Sequence, residues 1–215
     1  MRSPYTNWPR SSPSATVSKN LSLSKLFITG SCVIRDGKVF KDGMLRHEGH
    51  SLEQVYAAEE IQYPKFYKMD ALSKLGFLAA EILLKNRPLK YPKEDIAIIL
   101  SNANSSLDTD IRYQQSTKDI PSPALFVYTL PNIVIGEICI RNGFKGENSF
   151  FVFKAFDATF IKRYVESLMD ETPTQACICG WVEFLGAQYH AALWLVEYRA
   201  SDTEFSIENL KKVYG

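Results

Sequence analysis

Short apolar runs alternate with amphipathic stretches along most of this chain, and this alternation limits its possible folds more than any other feature. Five runs have the length and apolarity of buried strands: residues 26–30, 96–100, 150–153, 176–185 and 191–198. Segments of helical periodicity separate the first four runs, and only a short turn at Gly186 separates the last two. Strands joined by helices pair in parallel. The pattern therefore predicts an α/β fold with a mixed five-stranded sheet in β-α-β-α-β-α-β-β order, mainly parallel with an antiparallel edge and covered by helices.

The connecting segments carry their own start and stop signals. Asp70 is a good N-cap for a helix whose apolar side chains recur from Leu72 to Leu83, and Pro88 ends that segment. Pro131 fits the first turn of a helix that runs to Asn142, since Gly143 suits the C-terminal stop. Further helices are predicted over residues 109–116, from a cap at Asp157 to about residue 170, and over residues 207–213. The polar stretch 36–50 and the proline-bearing stretch 121–128 are predicted to be loops.

Length and composition limit the classes of function. The chain has 215 residues, is 46% hydrophobic and carries a net charge of +1, which is typical of a single globular domain. That charge balance gives no electrostatic reason to expect nucleic acid or a membrane surface as a partner, and no run is long enough to span a membrane. We expect residues 1–24 to be a mobile tail and residues 25–215 to form the domain. Because the tail lacks the apolar core of a secretory signal, we expect a cytoplasmic protein.

Four cysteines stand at positions 32, 139, 177 and 179. In a cytoplasmic protein they should be reduced thiols. Cys177 and Cys179 would point to the same face of a strand, where the simplest interpretation is small buried side chains. A metal pair remains conceivable, but no second Cys or His pair stands at zinc spacing, so we predict no metal and no cofactor.

The segment SPALFVYTLPNIVIGEICIRNGFKGENSFFVFKAF, residues 122–156, resembles the N-terminal half of a β-ketoacyl synthase. The shared pattern is a TLPN turn, a helix, a Gly-rich turn at Gly146 and Asn148, and then a strand. The early run ending at Gly30, the helix with Met69 and Asp70, and the closing segment GAQYHAALWLVE also resemble that family. The resemblance covers roughly residues 25–198 and implies a single thiolase-like half.

In that family the strand leads to a nucleophilic cysteine, and here the matching position is Ala155. It lies seven positions after Asn148, and counting back from the GWVE segment at Gly180 reaches the same residue. A thiolate holds the acyl group in such enzymes, so the resemblance implies that the nucleophile has been lost. The family's two catalytic histidines belong to a second half, whereas this chain has only His47, His50 and His190. We interpret the first two as residues of a surface loop and His190 as structural.

By this resemblance the protein would be a non-catalytic partner, similar to a chain length factor, in a fatty-acid, polyketide or aryl-polyene-like pathway. Its partners would be a ketosynthase subunit, an acyl carrier protein or both. The vestigial acyl site would include Thr129, Asn132, Phe153 and Phe156 around Ala155, with Phe156 either filling the acyl space or packing in the core. Two alternatives remain open: an acyltransferase or hydrolase that reuses the fold, with Cys139 as its thiol, and a homodimer that passively binds a hydrophobic ligand.

Two segments bear on assembly. The helix after Ala155 has apolar residues on one side and charged residues such as Lys162, Arg163 and Glu166 on the other, so we expect one of its faces to meet water or a polar interface. The strand from Phe150 to Phe153 carries three phenylalanines and a valine, which suits burial on both faces. An open edge of this composition would invite association. The sequence therefore predicts a homo- or heterodimer formed through this strand, with burial inside a monomer as the alternative.

Overall fold

A computed structural model describes residues 27–41, 44–47, 51–199 and 203–214. The expected tail, residues 1–24, and His50 lie outside the described residues. The described strands are β1 Phe27–Arg35, β2 Lys38–Lys41, β3 Met44–His47, β4 Ile96–Asn102, β5 Asn148–Val152, β6 Ala176–Leu185 and β7 Gln188–Glu197. The α-helices are α1 Leu52–Ala58, α2 Ala71–Leu84, α3 Leu107–Ser116, α4 Pro123–Val127, α5 Ile133–Asn142, α6 Ala158–Glu171 and α7 Ile207–Tyr214.

The strands form one mixed sheet in the order β3-β2-β1-β7-β6-β4-β5. The α/β class is confirmed, but the sheet has seven described strands where the sequence predicted five. Strand β4 pairs in parallel with β5 and β6, and the other four pairings are antiparallel. The antiparallel strand β7 lies in the interior between β6 and β1, so placing it at an edge was wrong. The position of β7 follows from tertiary pairing, because β1, from the other end of the chain, pairs with the side of β7 that the β6–β7 hairpin alone would leave open.

The two additional strands come from the segment that was predicted to be a polar loop. Asp36 and Gly37 both adopt positive φ, at 50° and 77°, and Arg35 pairs directly with Lys38. Two residues of positive φ between paired strands form the tight hairpin turn that Asp-Gly favours. The chain then returns through β3, which places His47 in a strand.

Helices cover both faces of the sheet and divide the core into two layers. Ile98 and Leu100 of β4 pack in the first layer beneath α2 and α5, whereas Ala97 and Ile99 pack in the second beneath α6 and α7. This division follows from the alternation of side chains along a strand. All seven residues of β4 are buried, in agreement with its apolar sequence.

Most predicted helices form near their predicted bounds. Asp70 accepts a hydrogen bond from the Ser73 amide at 2.9 Å and caps α2, and Gly143 ends α5 in the left-handed region with φ of 72°. The extended loop predicted for residues 121–128 is wrong, because the Ser122 hydroxyl accepts from the Leu125 amide and caps the short helix α4. Pro123 fits the first turn of that helix, where an amide hydrogen is not needed.

Helix α6 exposes one face, as its pattern predicts. Ile161, Val165 and Met169 are buried, whereas Arg163 and Asp170 on the other side are exposed. Strand β5 does not have the full burial that its composition suggested, because it occupies the end of the sheet and its residues are half-buried or exposed. Among the described residues this strand is therefore only partly buried, and its pairing in a dimer stays a prediction.

Candidate functional site

The loop between β5 and α6 contains the position where the sequence predicted a lost nucleophile. Ala155 is exposed in this loop, two residues before Asp157. The Asp157 carboxylate accepts a hydrogen bond from the Phe160 amide at 2.9 Å and caps α6. The Asp157 carboxylate is therefore engaged in capping α6. The methyl group of Ala155 supplies neither a nucleophile nor a base.

Two phenylalanines flank Ala155 and join different groups of rings. Phe153 lies 4.9 Å from Phe160 of α6 and 5.8 Å from Phe151, measured between ring centroids. Phe156 stacks on Trp194 of β7 at 5.2 Å and on Tyr214 of α7 at 4.7 Å. The two phenylalanines next to Ala155 thus pack against separate sets of aromatic side chains.

Thr129 and Asn132 lie in a separate turn between α4 and α5. The Thr129 hydroxyl donates to the Phe126 carbonyl at 2.7 Å, and the Thr129 carbonyl accepts from the Ser106 hydroxyl at 2.6 Å. Asn132 is exposed at the start of α5, and its side chain makes no capping bond there. Among the described contacts, no hydrogen bond or ring contact joins either residue to Phe153 or Phe156. Their common site with Ala155 stays a prediction.

Three of the four cysteines are buried and the fourth, Cys139, is half-buried. Cys177 and Cys179 are fully buried in β6 within the second core layer, and burial raises the pKa of both thiols above the ordinary value. Cys139 is half-buried on α5, where burial likewise raises its pKa. A thiol with a raised pKa is a poor nucleophile at neutral pH. The four thiols form no disulfide, and the described residues contain no cluster of three side chains suited to a metal ion.

Sequence reasoning missed the role of Glu183, which stands in the GWVE segment at the end of β6. Its carboxylate accepts from the Ala103 amide at 2.6 Å and from the Asn104 side-chain amide at 3.1 Å. These bonds hold the loop after β4 against the end of β6. An acidic residue within an otherwise apolar strand was the available signal, but its partners are about eighty positions away in the sequence.

His190 of β7 lies beside the aromatic group of Phe156. Its ring is 5.0 Å from the Tyr214 ring, and its Nε2 atom is 3.5 Å from a guanidinium nitrogen of Arg35. Burial first, and then the Arg35 charge, lower the pKa of His190 to about 4. The imidazole is therefore neutral at neutral pH and packs as a half-buried ring, in keeping with the structural role expected from the sequence.

Two surface cavities lie elsewhere. One of about 610 Å³ is bounded by the segment that follows α1 and by residues of α2 and α5. The other, of about 490 Å³, lies where α2, α4 and the β6–β7 hairpin meet. Of the predicted site residues, none lines either of these two cavities. Within the described residues, no helix combines the length and apolarity needed to cross a lipid bilayer.

Solved structures similar to this fold are ketosynthase and chain length factor proteins. The ishigamide ketosynthase/chain length factor aligns with a TM-score of 0.63 at 17% identity, over 83% of this chain and 64% of that one. A chain from the complex of the ketosynthase ApeO with its chain length factor ApeC from Xenorhabdus doucetiae aligns with a TM-score of 0.58 at 13% identity. That alignment covers 89% of this chain and 90% of the other. A chain from the complex AntDE:AntF, of an acyl carrier protein with its ketosynthase, aligns with a TM-score of 0.57 at 16% identity. That alignment covers 81% of this chain and 62% of the other.

This chain thus spans less than two thirds of the first and third of these proteins and nearly all of the second. No protein-family model and no curated protein sequence matches it. At these identities the likeness concerns the fold, and it agrees with the strand and helix order described above. The chain therefore has the thiolase-like α/β fold that ketosynthase and chain length factor proteins share.

Proposed function

We propose that this protein is a non-catalytic member of a condensing system, which acts as a partner of an active ketosynthase or of its acyl carrier protein in the manner of a chain length factor. The pathway would be of the fatty-acid or polyketide type, including the aryl-polyene type. The observation that carries the proposal is Ala155, which stands in the loop before α6 where a condensing enzyme needs a thiol.

The neighbours and the chemistry of the thiols support this role. Similar folds occur in a ketosynthase complexed with its chain length factor and in a ketosynthase complexed with a carrier protein. In the first complex the alignment spans 90% of the counterpart chain, so the likeness extends over nearly all of that chain's fold. Buried, reduced thiols such as Cys177 and Cys179 are typical of cytoplasmic proteins, so we place this role in the cytoplasm.

Incubation with acyl thioesters tests the non-catalytic part. We expect the intact mass of the protein to remain unchanged after exposure to acetyl-, malonyl- and longer acyl-CoA, under conditions that acylate a cysteine-bearing ketosynthase. An acyl adduct that disappears in the Cys139→Ser variant would overturn the proposal in favour of acyl transfer. Cys139 is the informative thiol because it is the least buried of the three for which burial raises the pKa.

Co-expression tests the partner. Each ketosynthase and each carrier protein encoded by the same genome is expressed together with this chain, and the complex is analysed by gel filtration with light scattering. We expect one ketosynthase or carrier protein to co-elute in a fixed ratio. If no pair associates although each ketosynthase forms its own dimer, the partner role is wrong. The result of the acylation experiment would not be affected.

A further inference from the structure

The cavity of about 490 Å³ beside the β6–β7 hairpin combines aromatic walls with an excess of positive charge. Its lining includes the rings of Tyr67, Tyr128, Phe184 and Tyr189. Phe184 and Tyr189 stack on each other across the hairpin, with ring centroids 5.7 Å apart and planes 11° apart. Apolar and aromatic walls with a few polar groups are typical of sites for small organic ligands, and the volume of this cavity is in the range of such sites.

The carboxylates in this lining already have donors. Among the described residues, two carboxylates and three cations line the cavity: Glu53, Asp70, Lys68, Lys74 and Arg112. Lys74 pairs with Glu53 at 2.7 Å, and this hydrogen bond lowers the pKa of the Glu53 carboxyl. Asp70 is buried, and its two oxygens accept from the Ser73 amide at 2.9 Å and from the Thr109 hydroxyl at 2.6 Å. Neither carboxylate therefore neutralises the two remaining cations.

Lys68 and Arg112 are these remaining cations. Both are exposed, and neither has a hydrogen-bond or ion-pair partner in the part of the chain that the structure describes. Lys68 ends the short 3-10 helix before α2, and Arg112 stands in the middle of α3, so two separate segments bring positive charge to one cavity. A cleft with low-dielectric walls concentrates the field of such charges and attracts a ligand of opposite sign. A guanidinium also matches the geometry of a carboxylate, to which it donates two parallel hydrogen bonds.

We propose that this cavity binds a flat aromatic carboxylate, with its ring among the aromatic walls and its carboxylate paired with Lys68 and Arg112. Aromatic rings gain free energy from offset-stacked and edge-to-face contacts with one another, which a saturated ring cannot make. The carboxylate supplies the acceptor that the two unpaired cations lack. This inference goes beyond the proposed function and does not depend on it, since ligand binding is measured on this chain without a partner.

The test compares three ligands of similar size by isothermal titration calorimetry: 2-naphthoate, its neutral amide 2-naphthamide, and the saturated acid decahydro-2-naphthoate. The wild type should bind 2-naphthoate about fivefold more tightly than the amide, because two exposed ion pairs are lost with the charge. It should bind the saturated acid about threefold more weakly than 2-naphthoate, because the ring contacts are lost. Added salt should weaken the binding of 2-naphthoate and leave that of the amide unchanged, since salt screens exposed charges.

A double variant separates the role of the two cations from the fold. Lys68→Gln/Arg112→Gln breaks no described contact, so its melting temperature should equal that of the wild type. It should bind 2-naphthoate about fivefold more weakly than the wild type and no more tightly than the amide. Lys118→Gln/Arg163→Gln is the matched control, because it removes one exposed lysine and one exposed arginine that do not line the cavity. This control should bind all three ligands like the wild type.

Replacing a wall ring by leucine tests the aromatic part. Phe184→Leu keeps an apolar side chain but removes a flat face, and should weaken 2-naphthoate about threefold without changing the affinity for the saturated acid. If this variant fails to fold, Tyr67→Leu makes the same test, because Tyr67 is 60% exposed. The proposal is wrong if the wild type binds no 2-naphthoate at millimolar concentration, or if the double variant binds it like the control. Equal binding of the two acids to the wild type would overturn the preference for a flat ring.

Discussion

Ala155 and His190 show how neighbouring residues determine what a single side chain can do. Ala155 is followed by Phe156, whose ring packs against the domain, and by Asp157, whose carboxylate is committed to the first turn of α6. His190 lies among rings on the same side of the sheet and beside the Arg35 charge. A neutral imidazole with no nucleophile beside it suits a packing role better than a catalytic one.

The lowered pKa of His190 predicts a dependence of stability on pH. Burial depresses the folded-state pKa from the ordinary 6.5 to about 4, so the unfolded chain binds the proton first as the pH falls. The free energy of unfolding should be highest above pH 6.5 and should decrease between about pH 6.5 and pH 4. Urea titrations of the wild type and of His190→Gln measure this slope. If the free energy of unfolding depends equally on pH in both proteins between about pH 6.5 and pH 4, His190 is not the cause of that dependence.

Helices α2 and α5 pack closely because α2 carries a glycine where the two meet. A Cβ atom added at Gly76 would lie 2.3 Å from the Val134 Cγ2 atom, which is closer than a real contact allows. By contrast, a Cβ atom added at Gly136 of α5 would have no atom within 4 Å. Replacing glycine by alanine inside a helix gains about 1 kcal/mol in helix propensity, whereas overpacking a core costs about 1–3 kcal/mol. At Gly76 the steric contact should therefore make alanine destabilising, whereas at Gly136 the helix propensity should make it stabilising.

Alanine variants of these two glycines test the packing. Gly76→Ala should lower the free energy of unfolding by up to about 2 kcal/mol, and Gly136→Ala should raise it by up to about 1 kcal/mol. In the double variant Gly76→Ala/Val134→Ala the added methyl group has room. This protein should therefore be more stable than the sum of the two single changes indicates. Additive losses in chemical denaturation would show that Gly76 does not serve the α2–α5 contact.

At the scale of the whole molecule, β5 is the last strand of the sheet, and no strand among the described residues pairs with its outer side. The Glu147 carbonyl and the Phe153 amide bond to β4, so the alternate residues Phe150 and Val152 direct their backbone groups away from the sheet. Val152 is also 51% exposed. An exposed edge with apolar side chains is a template for pairing with another chain.

Two substitutions of Val152, by proline and by threonine, distinguish an effect on pairing at the sheet edge from an effect on folding. Val152→Pro removes an amide hydrogen that points outward and leaves the bonds to β4 intact, whereas Val152→Thr keeps both the amide and the branched side chain. We expect the wild type and the threonine variant to be dimers in light scattering at micromolar concentration, and the proline variant to be a monomer with an unchanged circular dichroism spectrum. If the wild type is a monomer, the homodimer prediction is wrong. Pairing with a ketosynthase is then tested by the co-expression experiment.

Local signals carried much of this architecture. The apolar runs at β4 and β6, the cap at Asp70 and the stop at Gly143 were evident from the sequence, because each depends on neighbouring residues alone. The Asp36-Gly37 turn was also local, but the polar residues around it concealed the short strands that it joins. A strand at an edge needs no continuous apolar run, so hydropathy gives it little signal.

By itself, the sequence determined the fold class, the amphipathic helices and the absence of a thiol at position 155, since these follow from residue identity and short-range periodicity. Only the tertiary structure placed β7 inside the sheet, left β5 at its edge, joined Glu183 to Ala103 and laid Tyr214 on Phe156. Such contacts connect positions far apart in the chain, and their partners are chosen when the layers pack together. Packing of that kind depends on the shape of the whole core, which no local pattern of residues contains.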